Sequence, residues 1–206
     1  MRVERVEASR HKKGRVLVFL EDGACLKITE QELLDFGLRS GDDLDEETLG
    51  RLKEAAGVSN TRAAAADLIG KRAMSRRDLE RKLREKGAGE DEARYAAEWL
   101  EAIGALNDRE YAAALARHYG GMGYGPARVR EKLYEKGVPR ELWDEVLEEL
   151  PADGGQVEAF LRSKLRGRAP DEKEKRRLTN ALLRRGFPWG EVKAAWRRMG
   201  EEVQED

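Results

Sequence analysis

Two stretches concentrate side chains that bind anions. From Lys71 to Lys86 the sequence holds eight basic residues and three acidic ones, and from Arg162 to Arg185 it holds ten and three. Arginine dominates, and its planar guanidinium fork matches a carboxylate or a phosphate. Arg72, Arg76 and Arg77 flank Ser75, where a helix is expected to begin. The helix dipole favours acidic side chains there, so three arginines ask for a partner. The competing account is a solvated helix face in which Arg76 and Arg77 pair with Glu80 and Glu85.

Other candidate chemistry is thinner. Gly120-Gly121-Met122-Gly123-Tyr124-Gly125 resembles a phosphate loop but follows a helix and lacks a Lys-Ser or Lys-Thr, so a turn that places Tyr124 at the surface is the expectation. His11 and His118 have no Cys or carboxylate at ligand spacing, so neither a metal nor a cofactor is expected. Cys25 is the only cysteine, which excludes an internal disulfide and suits a reducing compartment. In a strand it is expected to be buried and inert. No nucleophile–base constellation is visible, and the chain is expected not to be an enzyme. Trp99, Trp143 and Trp196 are expected in the core, with Trp189 the exposed tryptophan. Asn107 or Asp108 should open a helix, and Ser75 and Asp108 read as N-caps first.

The elements that carry these residues repeat. SRRDLERKLREKG ends at Gly87, GPARVREKLYEKG at Gly137 and KRRLTNALLRRG at Gly186. Leucine stands four residues before each glycine (Leu83, Leu133, Leu182), and an apolar residue stands eight before (Leu79, Val129, Leu178). That spacing makes one buried helix face closed by a left-handed glycine cap, written three times. With 39% charged residues and few aromatics, the 206-residue chain is expected to be mainly α. Forty basic and 41 acidic residues give a net charge of −1, which argues against simple charge-driven DNA binding. The charge is uneven: −3 over residues 1–58, +1 over 59–106, −2 over 107–151 and +3 over 152–206.

Before the repeats, Val16–Leu20 and Ala24–Ile28 flank Asp22-Gly23, a hairpin signal. Thr29 with Glu32 reads as a capping box for a short helix ended by Gly37. A second helix from Asp45 should bury Leu49 and Leu52 and stop before Gly57. The expected architecture is a β-hairpin plus helices module over 1–58, then three three-helix repeats in a curved array over 59–106, 107–151 and 152–206, the last with a short acidic tail. No apolar run approaches a membrane span and the charged start is no signal peptide, so a cytoplasmic chain with no membrane partner is expected.

The linked motifs resemble the RecX family. Leu68-Ile69-Gly70-Lys71-Arg72-Ala73-Met74-Ser75-Arg76-Arg77-Asp78-Leu79, with Lys82-Leu83 and Lys86-Gly87, is similar to its first repeat. Leu106-Asn107-Asp108, Tyr111-Ala112, Arg117, Gly123-Tyr124-Gly125-Pro126 and Leu133 to Val138 follow in the family's order, and Leu183-Arg184-Arg185-Gly186-Phe187 resembles the close of its third repeat. The match runs from residue 59 to about 199. It implies a non-catalytic bacterial regulator of the RecA recombinase that lies in the groove of the RecA–DNA filament and restrains ATP hydrolysis and strand exchange. DNA would be met weakly or through the filament, and the regulator is expected to act as a monomer. The partner-binding set is then Arg72, Arg76, Arg77 and Arg81, followed by Arg117, Tyr124 and Arg128, and finally Arg176, Arg177, Arg184 and Arg185. The rival reading is an autonomous helical-repeat nucleic-acid binder whose basic faces track phosphates directly, with steep salt dependence.

Overall fold

A computed structural model describes residues 1–150 and 155–200. The boundary expected at 151 and the acidic tail lie outside the described residues. The chain divides into two compact units, residues 1–73 with 78–106, and residues 74–77 with the described residues from 107 onward.

The first unit begins with an antiparallel sheet of β1 (Val3–Ala8), β2 (Arg15–Leu20) and β3 (Cys25–Thr29), in that order. The expected hairpin is β2–β3, with Val16 opposite Ile28 and Val18 opposite Leu26. Period-2 alternation turns Val16, Val18 and Leu20 inward, where they meet Val3, Ile28, Leu38, Leu44, Leu49 and Leu52. β1 is an addition to the expected hairpin. Its sequence, VERVEA, leaves most side chains exposed, so it carries no apolar pattern.

α1 (Glu30–Asp35) has the expected capping box: Glu32 N–H donates to Thr29 Oγ1 at 3.0 Å, and Thr29 N–H donates to Glu32 Oε2 at 2.7 Å. α2 starts where expected, capped by Asp45 Oδ1, which accepts from Thr48 N–H at 2.7 Å. It does not stop before Gly57. It continues to Lys71, so the helix expected to end before Gly57 and the alanine-rich helix expected after it are one element of 26 residues, Glu46–Lys71. Gly57 serves close approach rather than termination, since a Cβ there would lie 2.2 Å from Glu92 Oε1. Glu92 is held by Gly89 N–H at 3.0 Å and Thr61 Oγ1 at 3.4 Å. α3 (Arg76–Glu85) and α4 (Glu90–Ala102) follow.

In the second unit, α5 (Asp108–Gly121), α6 (Pro126–Glu135), a 3-10 turn (Arg140–Leu142) and α7 (Trp143–Glu148) close on Ala112, Ala116, Val129, Leu133 and Val146. α8 (Gly155–Leu165), α9 (Glu172–Arg184) and α10 (Trp189–Arg198) close on Leu161, Leu178, Leu182, Val192 and Trp196.

The repeated glycines end their helices alike. Ala88, Val138 and Phe187 N–H return to the carbonyls of Leu83, Leu133 and Leu182, while Gly87, Gly137 and Gly186 N–H bond the carbonyl three residues back. This is the Schellman pairing, which requires the positive φ that the three glycines adopt. The leucines are 1%, 0% and 0% exposed. Leu83→Ala, Leu133→Ala and Leu182→Ala should therefore each cost about 2–5 kcal/mol in chemical denaturation. A negligible loss at any one would mean that its helix face is not a core face.

Candidate functional site

Within the second unit, two motifs far apart in sequence fit each other. The first turn of α6 has amide donors without intrahelical acceptors, and the last turn of α9 has carbonyls without donors. Gly125 N–H donates to Arg185 O at 2.8 Å, and Ala127 N–H to Gly186 O at 3.1 Å. Helix ends of opposite partial charge therefore meet. The approach tolerates no side chain. A Cβ on Gly125 would lie 2.4 Å from Gly186 C and Phe187 N, and one on Gly186 would lie 2.3 Å from Arg128 N. The Gly123–Pro126 run is thus the expected α5–α6 turn and also the receptor for Gly186.

A related docking occurs at residues 74–77. Buried Ser75 donates its hydroxyl to Lys136 O at 2.7 Å, and a Cβ on Gly137 would meet Ser75 Oγ at 2.9 Å and Arg77 Cβ at 3.5 Å. Asp108 is not the N-cap of α5. Asn107 is, accepting from Glu110 N–H at 3.1 Å, while Asp108 Oδ1 accepts from Arg76 N–H at 2.8 Å.

These dockings bring some expected site residues together. Arg185 donates from Nη1 to Gly123 O at 3.3 Å, beside Tyr124 and Arg128. Its guanidinium carbon lies 4.8 Å from the centre of the Phe160 ring, and Lys164 Nζ lies 5.7 Å from the same centre. Two cations thus converge on one half-buried ring, and among the described residues neither has a carboxylate partner. Phe160 and Lys164 were missed in the sequence. They stand four apart on α8 beside the buried Val157–Leu161–Leu165 stripe, and that spacing is the signal that could have found them. Tyr124 is half-buried, its ring stacked on Tyr119 at 6.1 Å, so it is less exposed than a surface position implies.

The remaining arginines differ in how far they are engaged. Arg72 is exposed at the end of α2 and reaches Asp78 at 3.5 Å. Arg81 is held by Asp78 and Glu85, and Arg128 by Glu131. Hydrogen bonding to those carboxylates, chiefly Asp78 for Arg81, pushes both guanidinium pKa values up. Arg177 pairs with Glu174 at 3.4 Å, and Arg176 is exposed on the same helix. Arg76 is half-buried, its amide engaged by Asp108. Arg77, Arg117 and Arg184 are exposed and make no side-chain ion pair or hydrogen bond among the described residues. Of the pairing weighed for Arg76 and Arg77, Arg77 makes none among the described residues, and Glu85 is taken by Arg81 instead.

Two other expectations need correction. Cys25 is exposed, because the register that sets it opposite Phe19 places it away from the core that Leu26 and Ile28 approach. Trp189 is half-buried, and so are Trp99 and Trp143; only Trp196 is fully enclosed. No described helix is long and apolar enough to cross a membrane, and no cluster among the described residues could hold a metal ion.

Comparison with known proteins places this arrangement. Models of the second and third three-helix domains of RecX match residues 107–147 and 156–196. The regulatory protein RecX of Thermus thermophilus is 38% identical over 144 residues, covering 70% of this chain and 95% of the relative. That of Pseudomonas putida is 34% identical over 129 residues, covering 62% and 83%. A crystal structure of a regulatory protein RecX superposes with a TM-score of 0.71 at 20% identity, covering 97% of this chain and 98% of the other, a likeness of fold.

Proposed function

The chain belongs to the RecX family of regulatory proteins, and on that premise we propose that it binds the RecA–DNA filament and restrains RecA ATP hydrolysis and strand exchange. It acts as a monomeric cytoplasmic regulator in recombination and repair, without chemistry of its own. RecA comes from the family resemblance. The observation on this chain that supports a charged partner is the set of cations left over: Arg77, Arg117 and Arg184 are exposed and unpaired among the described residues, and Arg185 shares Phe160 with Lys164. With 41 acidic residues for 40 basic ones, anionic partners are plentiful, so these cations are not unpaired for want of carboxylates.

The site set is proposed as two groups. Arg76, Arg77, Arg117, Tyr124, Arg128, Arg176, Arg177, Arg184 and Arg185 belong to the second unit. Of Arg76 and Arg77, the latter is the cleaner probe because its side chain has no described partner. Arg72 and Arg81 are the second group and belong to the first unit. The test is DNA-dependent ATP hydrolysis by RecA with this chain titrated in, beside its binding to bare single-stranded DNA. Regulation through the filament expects ATPase inhibition with weak binding to bare DNA. An autonomous nucleic-acid binder expects tight bare-DNA binding that falls steeply with salt.

A further inference from the structure

A cleft in the first unit is chemically unlike the rest of its module. Residues 10–15 carry Arg10, His11, Lys12, Lys13 and Arg15, whereas the remainder of residues 1–58 holds six basic side chains against thirteen acidic ones. This loop joins β1 to β2 and, with the sheet and α2, lines an open cleft of about 570 Å³. His11, Lys12, Arg15 and Lys27 line it, and Asp67 is the one carboxylate among its lining residues. The apolar part of the lining is Leu17 with Ala63 and Ala64.

The walls are tied in place. Arg15 donates from Nη1 to Ser59 Oγ at 2.9 Å and from Nη2 to Ser59 O at 2.8 Å, which leaves its other donors unspent. Asn60 Nδ2 donates to Lys27 O at 2.7 Å, joining β3 to α2. Lys12 Nζ meets Asp67 at 3.1 Å across the cleft. An open cleft of this size, with an apolar patch and several cations along its walls, has features of a small-ligand site. Its charge selects an anion, and its apolar patch selects one with a flat, poorly hydrated body.

We propose that this cleft binds a nucleotide, its phosphate against Lys12, Lys27 and Arg15 and its base on Leu17, Ala63 and Ala64. The site owes nothing to the RecA reading, since none of its lining residues is in the proposed partner-binding set. The nucleotide has two possible sources, free in solution or as one unit of a single strand.

The experiment is calorimetric titration of the full chain with AMP, adenosine and a short oligothymidylate. AMP should bind saturably, and adenosine should bind at least about tenfold more weakly because a phosphate–ammonium attraction is lost. Lys27→Ala should weaken AMP binding about fivefold, and Asp67→Asn should tighten it about threefold by removing the opposing carboxylate. Both replaced side chains are exposed, and misfolding cannot produce changes of opposite sign. Displacement of AMP by the oligonucleotide assigns the site to a strand; failure to displace assigns it to the free nucleotide. The proposal is overturned if neither AMP nor the oligonucleotide binds at millimolar concentration. It is equally overturned if adenosine binds as well as AMP, or if both substitutions leave the affinity unchanged.

Discussion

Gly186→Ala should lower the stability of the second unit by about 3 kcal/mol or more. Two costs add. At φ +88° an alanine is strained, by roughly 1–2 kcal/mol. Its Cβ would also stand 2.3 Å from the backbone nitrogen of Arg128, so α6 and α9 must part. Parting them sacrifices the Gly125–Arg185 and Ala127–Gly186 hydrogen bonds, each worth about 0.5–1.5 kcal/mol. Two companions separate the costs. Gly167 has φ +79° with nothing near its missing Cβ, so Gly167→Ala should show the strain alone. Gly125 has φ −78° and no strain, so Gly125→Ala should show the clash alone. Urea denaturation of the three variants gives the comparison. Equal losses for Gly186→Ala and Gly167→Ala would mean that the docking contributes nothing.

Trp196→Ala should cost about 3–5 kcal/mol, the range for removing a large buried aromatic. Its ring is fully enclosed among Leu161, Leu178, Leu182 and Val192, and its indole N–H donates to Thr179 Oγ1 at 3.0 Å. The hydrogen bond can be isolated from the packing. Thr179→Val leaves the indole N–H without its acceptor and should cost about 1–3 kcal/mol. Trp196→Phe keeps most of the apolar volume. In the double variant both partners of the hydrogen bond are gone, so the two losses should be clearly less than additive. Additive losses would show that the bond is incidental.

These two sites mark how far a single sequence can be read. The Trp196 core follows from apolar spacing, because Leu178, Leu182, Val192 and Trp196 recur at helical steps. The Schellman glycines were legible for the same reason, and three copies removed the ambiguity of one. The docking of Gly186 on Gly125 was not. Nothing in either motif encodes which carbonyl an amide 60 residues away will meet, and a close approach leaves only a glycine as its mark. β1 escaped because VERVEA is charged on the face it leaves open. The continuity of α2 escaped because Gly57 suggests a stop, whereas its missing side chain makes room for Glu92. Cys25 escaped because one residue of strand register decides which face a side chain takes. Among the arginines, composition located the runs but could not tell Arg81, held by two carboxylates, from Arg77, held by none that is described.

The most direct measurement is the rate of DNA-dependent ATP hydrolysis by RecA as this chain is titrated in, with the Arg184→Ala variant alongside. Arg184 is exposed and makes no described pair, so its removal should leave the melting temperature nearly unchanged, as surface substitutions do. The account expects the wild-type chain to lower the rate saturably and the folded variant to require a higher concentration for the same effect. An ATPase rate that stays constant at saturating wild-type protein would contradict the account.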